Sequence, residues 1–74
     1  MDINKMIKMA LAYAGISQAE VSRRIGTTKT NVSKKISHGN GIRVLDLASM
    51  ADAMGAKLNI SIDFPDGTSI GDKS

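Results

Sequence analysis

A mainly α bundle of four to five helices, closed by a C-terminal β-strand or β-hairpin, is the fold class this sequence predicts. Apolar residues recur at spacings of three and four from Ile3 to Met54, which is the period of helices with one buried stripe. Glycines stand where the apolar runs stop, at Gly15, Gly26 and Gly55. Strict alternation then takes over at Leu58, Ile60, Ile62 and Phe64, the period of a strand with one apolar face.

The first helix is expected to bury Ile3, Met6, Ile7, Ala10, Leu11 and Ala14, with Lys5 and Lys8 off that stripe and Gly15 ending it. In "SQAE", Ser17 can accept from the backbone N–H of Glu20 while Glu20 reaches back, a capping box that starts a second helix. That helix is short, because Val21 and Ile25 make one buried turn before Gly26. Thr27 or Thr28 caps a third helix, in which Val32, Ile36 and Thr28 face inward. Thr30 and Lys34 then point away, flanked by Asn31, Ser33 and Ser37.

Turn-forming residues make Ser37 to Gly41 a loop, and Val44, Leu47, Ala48, Ala51 and Met54 form the stripe of a fourth helix. After the alternating strand, "FPDGT" is a tight turn, "TSI" returns as a short second strand, and residues 71 to 74 fray. One domain of 74 residues is expected, with a helical unit over residues 2 to 55 and a strand or hairpin over 57 to 70.

Hydrophobic residues make up 42% of the chain and aromatic residues only 3%, so the core must come from aliphatic side chains and methionine. The chain contains no cysteine, so it carries neither a disulfide framework nor a thiolate metal site, and a cytoplasmic location is the expectation. "MALAYAG" is too short for the core of a signal peptide and is better explained as helix, and no stretch reaches the length of a membrane span. His38, the only histidine, has no partners in the sequence for a metal site or a general base. "GNG" follows no strand and so does not read as a phosphate loop. An enzyme, a cofactor, a metal and a small-molecule substrate are therefore not expected.

The net charge of +3 is unevenly spread. Arg23, Arg24, Lys29, Lys34, Lys35 and Arg43 lie in one stretch without an acidic residue, while the rest of the chain has four basic residues against seven acidic. That stretch presents a positive field suited to a polyanion. A helix face of hydroxyl, amide and ammonium groups also matches the hydrogen-bonding edges of bases in the DNA major groove.

Two short helices joined by a glycine turn, the second basic and polar, have the layout of a helix-turn-helix. "SQAEVSRRIGTTKTNVSKKISHG" resembles the lambda repressor and Cro-like family, also called the XRE type, over roughly residues 2 to 55. The resemblance implies a transcriptional regulator, most often a repressor, that binds double-stranded DNA. It assigns Thr28, Lys29, Thr30 and Lys34 to base edges, with Asn31 and Ser33 flanking them at bases or phosphates. Gln18 matches a position that contacts phosphate and braces the third helix, and Ser22 one kept small so that the two helices can approach. Arg43, beside the loop, stands where the family's loop residues meet phosphate. Val32 to Gly39 is one residue longer than the family's usual spacing, and Lys35 stands where leucine is common, which gives its packing role to Ile36.

Arg24 is expected to pair with Glu20, which leaves Arg23 as the better phosphate ligand, alongside Gln18, Ser33, Lys35, Ser37, His38 and Arg43. Leu58, Ile60, Ile62 and Phe64 are expected to rest on the helices with one face while the strand edge pairs with a second subunit, giving a homodimer that reads a near-palindrome. The competing expectation is a protein-interaction module, such as an antitoxin or adaptor, whose strand pairs with a different protein.

Overall fold

The computed structural model describes residues 2 to 72, with the side chain of Asp72 outside the description. Four helices, α1 (Ile3–Ala14), α2 (Gln18–Ile25), α3 (Lys29–Ser37) and α4 (Val44–Ala53), precede a hairpin of β1 (Ile60–Asp63) and β2 (Ser69–Asp72). A 3₁₀ turn, Gly39–Gly41, joins α3 to α4. The chain is thus a mainly α bundle with a C-terminal antiparallel hairpin, as its apolar periodicities predict.

Side-chain caps set three of the helix starts. Asp2, Ser17 and Thr28 each accept from the backbone N–H three residues on, satisfying one of the donors that a helix N-terminus leaves unpaired. The capping box at α2 is one-sided. Glu20 donates its N–H to Ser17 Oγ at 3.1 Å, but its carboxylate turns outward to arginines. Gly26 ends α2 at φ 85°, a left-handed conformation open to glycine at no steric cost.

The core is Ile7, Leu11, Val21, Val32, Ile36, Met50 and Ala53, with Ile3, Ile16, Ile25, Ile42, Leu47 and Met54 packed around it. Two expected stripes are shifted. In α1, Ala10 and Ala14 are exposed, because only the Ile3, Ile7 and Leu11 side of the helix meets α3 and the loop. In α4, the helix rolls so that Met50 and Ala53 enter the core while Val44 stays exposed. Thr28, expected inward, is exposed, because its hydroxyl is used at the helix end. The expected loop after α3 is shorter than the turn-forming residues indicated, since α3 runs through Ser37 and Gly39–Gly41 adds a helical turn.

Long-range polar contacts lock the bundle. Asn4 Nδ2 donates to the Ile36 carbonyl at 2.9 Å, and the Ile3 N–H donates to Asn40 Oδ1 at 2.9 Å, fastening α1 to the far end of α3 and the 3₁₀ turn. Arg24 Nη1 donates to the Ala53 carbonyl at 2.7 Å and so holds α2 to the C-terminal end of α4.

The hairpin departs most from expectation. Its strands pair antiparallel, with Ile62 opposite Ile70 and Asp63 opposite Ser69. β2 runs on through Gly71 and Asp72, two residues past the expected return; Lys73 and Ser74 lie outside the described residues. The apolar face does not rest on the helices: Ile60, Ile62, Phe64 and Ile70 are 42%, 63%, 46% and 61% exposed, and only Leu58, ahead of the strand, is half-buried. The radius of gyration is 13.3 Å, above the about 11 Å of a compact chain of this length. The molecule measures 43 × 22 × 20 Å, long because the hairpin extends from the helical body.

Candidate nucleic-acid interface

The α2 and α3 pair is held by apolar packing and one polar brace. Val21 and Val32 are buried between the helices, and Ser22, also buried, turns its hydroxyl back to the Ala19 carbonyl at 2.6 Å. A small side chain at that crossing lets the two backbones come close. Ser33 Oγ donates to Gln18 Oε1 at 2.8 Å, which fixes the start of α2 against the middle of α3. The Gln18 amide nitrogen is left as a donor at the helix start, whereas the Ser33 hydroxyl is committed inside the pair.

Along the outer face of α3, the side chains divide into those held locally and those left open. Thr28 Oγ1 accepts from the Asn31 N–H at 3.1 Å, and Asn31 Nδ2 donates to Thr27 Oγ1 at 3.0 Å. Ser37 Oγ donates to the Lys34 carbonyl at 2.7 Å. Lys29, Thr30 and Lys34 are exposed, and neither lysine makes an ion pair among the described residues.

Three of the neighbouring cations are paired. Arg23 Nη2 lies 2.7 Å from Glu20 Oε1, so the arginine expected to be free has the same partner as Arg24. Arg24 Nε lies 3.2 Å from Glu20 Oε2. Glu20 is reached by both because residues three and four apart share a helix face. The Arg23 hydrogen bond, reinforced by the charges of both arginines, holds the Glu20 carboxyl below its ordinary value. Lys35 Nζ lies 3.0 Å from Asp46 Oδ1, a bridge between α3 and α4. Ile36 takes the buried position beside it.

His38 and Arg43 are exposed and line a surface cleft of about 340 Å³ with Lys35, Gly41, Ile42 and Asp46. The structure therefore brings together three of the residues expected to meet phosphate, at the end of α3 and the start of α4. A wider cleft of about 430 Å³ lies between α2 and α4, lined by Arg24, Ile25, Ser49, Asp52, Ala53 and Gly55, and includes no residue of α3. Among the described residues there is no cluster of His, Cys, Asp or Glu able to hold a metal ion, and no helix long and apolar enough to cross a membrane.

Several contacts that shape this surface carried no readable signal in the sequence. Arg24, Asn4 and Asn40 act through partners 29, 32 and 37 residues away. Only Asp46 was open to inference, as the sole acid within the first turn of α4. No protein-family model, curated protein or solved structure matches the chain.

Proposed function

We propose that the chain is a sequence-specific, double-stranded DNA-binding transcriptional regulator of the lambda repressor and Cro-like kind. It acts as a repressor, by binding rather than by catalysis, in the cytoplasm. The single observation that carries this reading is the outer face of α3, where Lys29, Thr30 and Lys34 stand exposed and, among the described residues, neither lysine has an ion pair, while Arg23, Arg24 and Lys35 are held by acidic partners. In this reading α3 lies in the major groove. Lys29 and Lys34 donate to guanine or phosphate acceptors, and the Thr30 hydroxyl meets a neighbouring base edge.

Gln18 at the start of α2, and His38 and Arg43 at the end of α3 and start of α4, fix the register on the backbone phosphates. Arg23 and Lys35 add positive charge beside them. Thr28 and Asn31 shape the start of α3, with base contact left to their remaining hydrogen-bonding capacity. A homodimer joined through the hairpin, with Leu58, Ile60, Ile62 and Phe64 at its interface, places two α3 helices about 34 Å apart on a near-palindromic site.

The open apolar face of the hairpin supports one further reading, an interaction module of the antitoxin or adaptor type whose strand pairs with another protein. Selection of bound sequences from a random duplex pool, near physiological salt and with nonspecific competitor, separates the two. An enriched inverted repeat is the expected outcome. No enrichment by the folded protein, together with a second polypeptide co-purifying at fixed stoichiometry, would overturn the DNA reading.

A further inference from the structure

The acids beside α3 fall in a pattern. Lys29 and Lys34 are exposed on its outer face and make no ion pair among the described residues. Arg23 on α2 and Lys35 on the α4 side of α3 each meet a carboxylate, at 2.7 Å from Glu20 Oε1 and 3.0 Å from Asp46 Oδ1. Glu20 also reaches Arg24, but Arg24 has a second hold on the Ala53 carbonyl. Arg23, whose side chain is 67% exposed, is held by Glu20 alone among the described residues. In sequence, Glu20 and Asp46 bracket the acid-free stretch of residues 21 to 45, and the fold turns both back onto its cations.

We infer that Glu20 and Asp46 set the sequence discrimination of the protein, by holding Arg23 and Lys35 back from sequence-independent contacts with phosphate. This rests on the DNA-binding reading above and gives a role to two acids that it leaves out. Each phosphate neutralised by a cation releases counterions and adds about 0.9 to the slope of log affinity against log salt. That gain is blind to sequence and supplies nearly all of the binding to a wrong site. To join it, Arg23 must leave Glu20, and an unpaired carboxylate then stands near the phosphate chain. Lys35 and Asp46 face the same exchange, in the cleft they share with His38 and Arg43. Exposed ion pairs of this kind add little to folding stability. Their larger effect is on the charge offered to a polyanion.

The restraint discriminates because of register. A long cation freed from its acid can follow phosphates wherever the protein lands, whereas the base contacts of α3 fix one position on the duplex. Freed Arg23 and Lys35 therefore favour the many wrong positions more than the right one, and the ratio of specific to nonspecific affinity falls.

The test measures Glu20→Gln and Asp46→Asn on the duplex that the unaltered chain selects and on a scrambled duplex of the same composition, from about 50 to 200 mM salt. Asp52→Asn is the charge control, because Asp52 is exposed on α4 and makes no ion pair among the described residues. Circular dichroism checks that each variant keeps its helices. Each of the first two variants should steepen the salt slope on the scrambled duplex by about 0.9 and tighten its binding by about threefold at the low-salt end. The selected duplex should gain less, so that the affinity ratio falls by at least about twofold. Asp52→Asn should leave slope and ratio unchanged. Adding Arg23→Gln to Glu20→Gln, or Lys35→Gln to Asp46→Asn, should restore the slope of the unaltered chain.

Equal gains on both duplexes would overturn the inference, as would the same change in Asp52→Asn or a gain that persists after the freed cation is removed. In each of those cases the selected duplex still stands, and with it the reading of α3. An unaltered chain that selects no duplex would overturn both.

Discussion

Val32 in α3 and Ile62 in β1 are both β-branched residues on the apolar face of their element, yet one is 1% exposed and the other 63%. The helical body supplies Val32 with neighbours from within the chain, because α2 and α1 pack against α3 and Val32 shares one buried core with Ile7, Val21 and Met50. Among the described residues, no element is laid across the hairpin. Its own two strands satisfy each other's inner hydrogen bonds but leave a row of isoleucines and a free edge in the solvent. A two-stranded hairpin without a covered face is marginal on its own. The body therefore buries its core within the chain, whereas the hairpin keeps its apolar face exposed.

The largest expected effect tests the body. Ile36→Ala, in the core, should lower the unfolding free energy by about 2 to 5 kcal/mol in urea titration. Ile62→Ala, at a concentration where the chain is monomeric, should change it by less than about 0.5 kcal/mol. Equal effects would mean that the hairpin is packed like the body, and the contrast would be lost.

Next in size is the division of α3 itself. Lys34→Ala should weaken binding to a selected duplex by about 1 to 3 kcal/mol and relax preference at one base pair. Uniform weakening on all sequences would move that lysine to a phosphate. Lys35→Ala should instead act on stability, by less than about 1 kcal/mol, since its partially exposed bridge to Asp46 joins α3 to α4. A change of similar size is expected at the start of the same helix. Thr28→Ala removes the cap that accepts from Asn31, at a cost of about 1 kcal/mol in thermal or urea unfolding.

The smallest effect is a pH dependence. The Glu20 carboxyl is held below its ordinary value by Arg23 first and Arg24 second, so it is more acidic folded than unfolded. Its contribution is thus complete above the unfolded carboxylate range and is lost as pH falls through the depressed folded value. Acid titration of stability should be shallower in Glu20→Gln than in the unaltered chain. An identical acid profile would show that the two ion pairs contribute nothing measurable.

Much of the body was legible because its signals are local. Caps at Ser17 and Thr28, a left-handed glycine at Gly26 and the spacing of Val32 and Ile36 each act within a few residues, so α2 and α3 can be read without knowing their surroundings. Charge pairing was only half legible. Glu20 is equally near Arg23 and Arg24 in helical register, and sequence spacing could not divide one carboxylate between them. The rolls of α1 and α4 were not legible. Ala, Met and Leu recur on several faces of those helices, and only the position of the neighbouring helices chooses which face is buried.

By itself, the sequence determined where helices begin, where the period changes to that of a strand, and which helix carries the polar, basic face. These depend on backbone conformation and on side chains a turn apart. Tertiary structure alone decided that Arg24 reaches the Ala53 carbonyl, that Lys35 is taken by Asp46 while Lys29 and Lys34 are not, and that the strand's apolar face stays open. The reason is geometric. Each of these outcomes depends on which distant surface comes within hydrogen-bond or van der Waals reach, and a linear pattern of polar and apolar residues carries no distances.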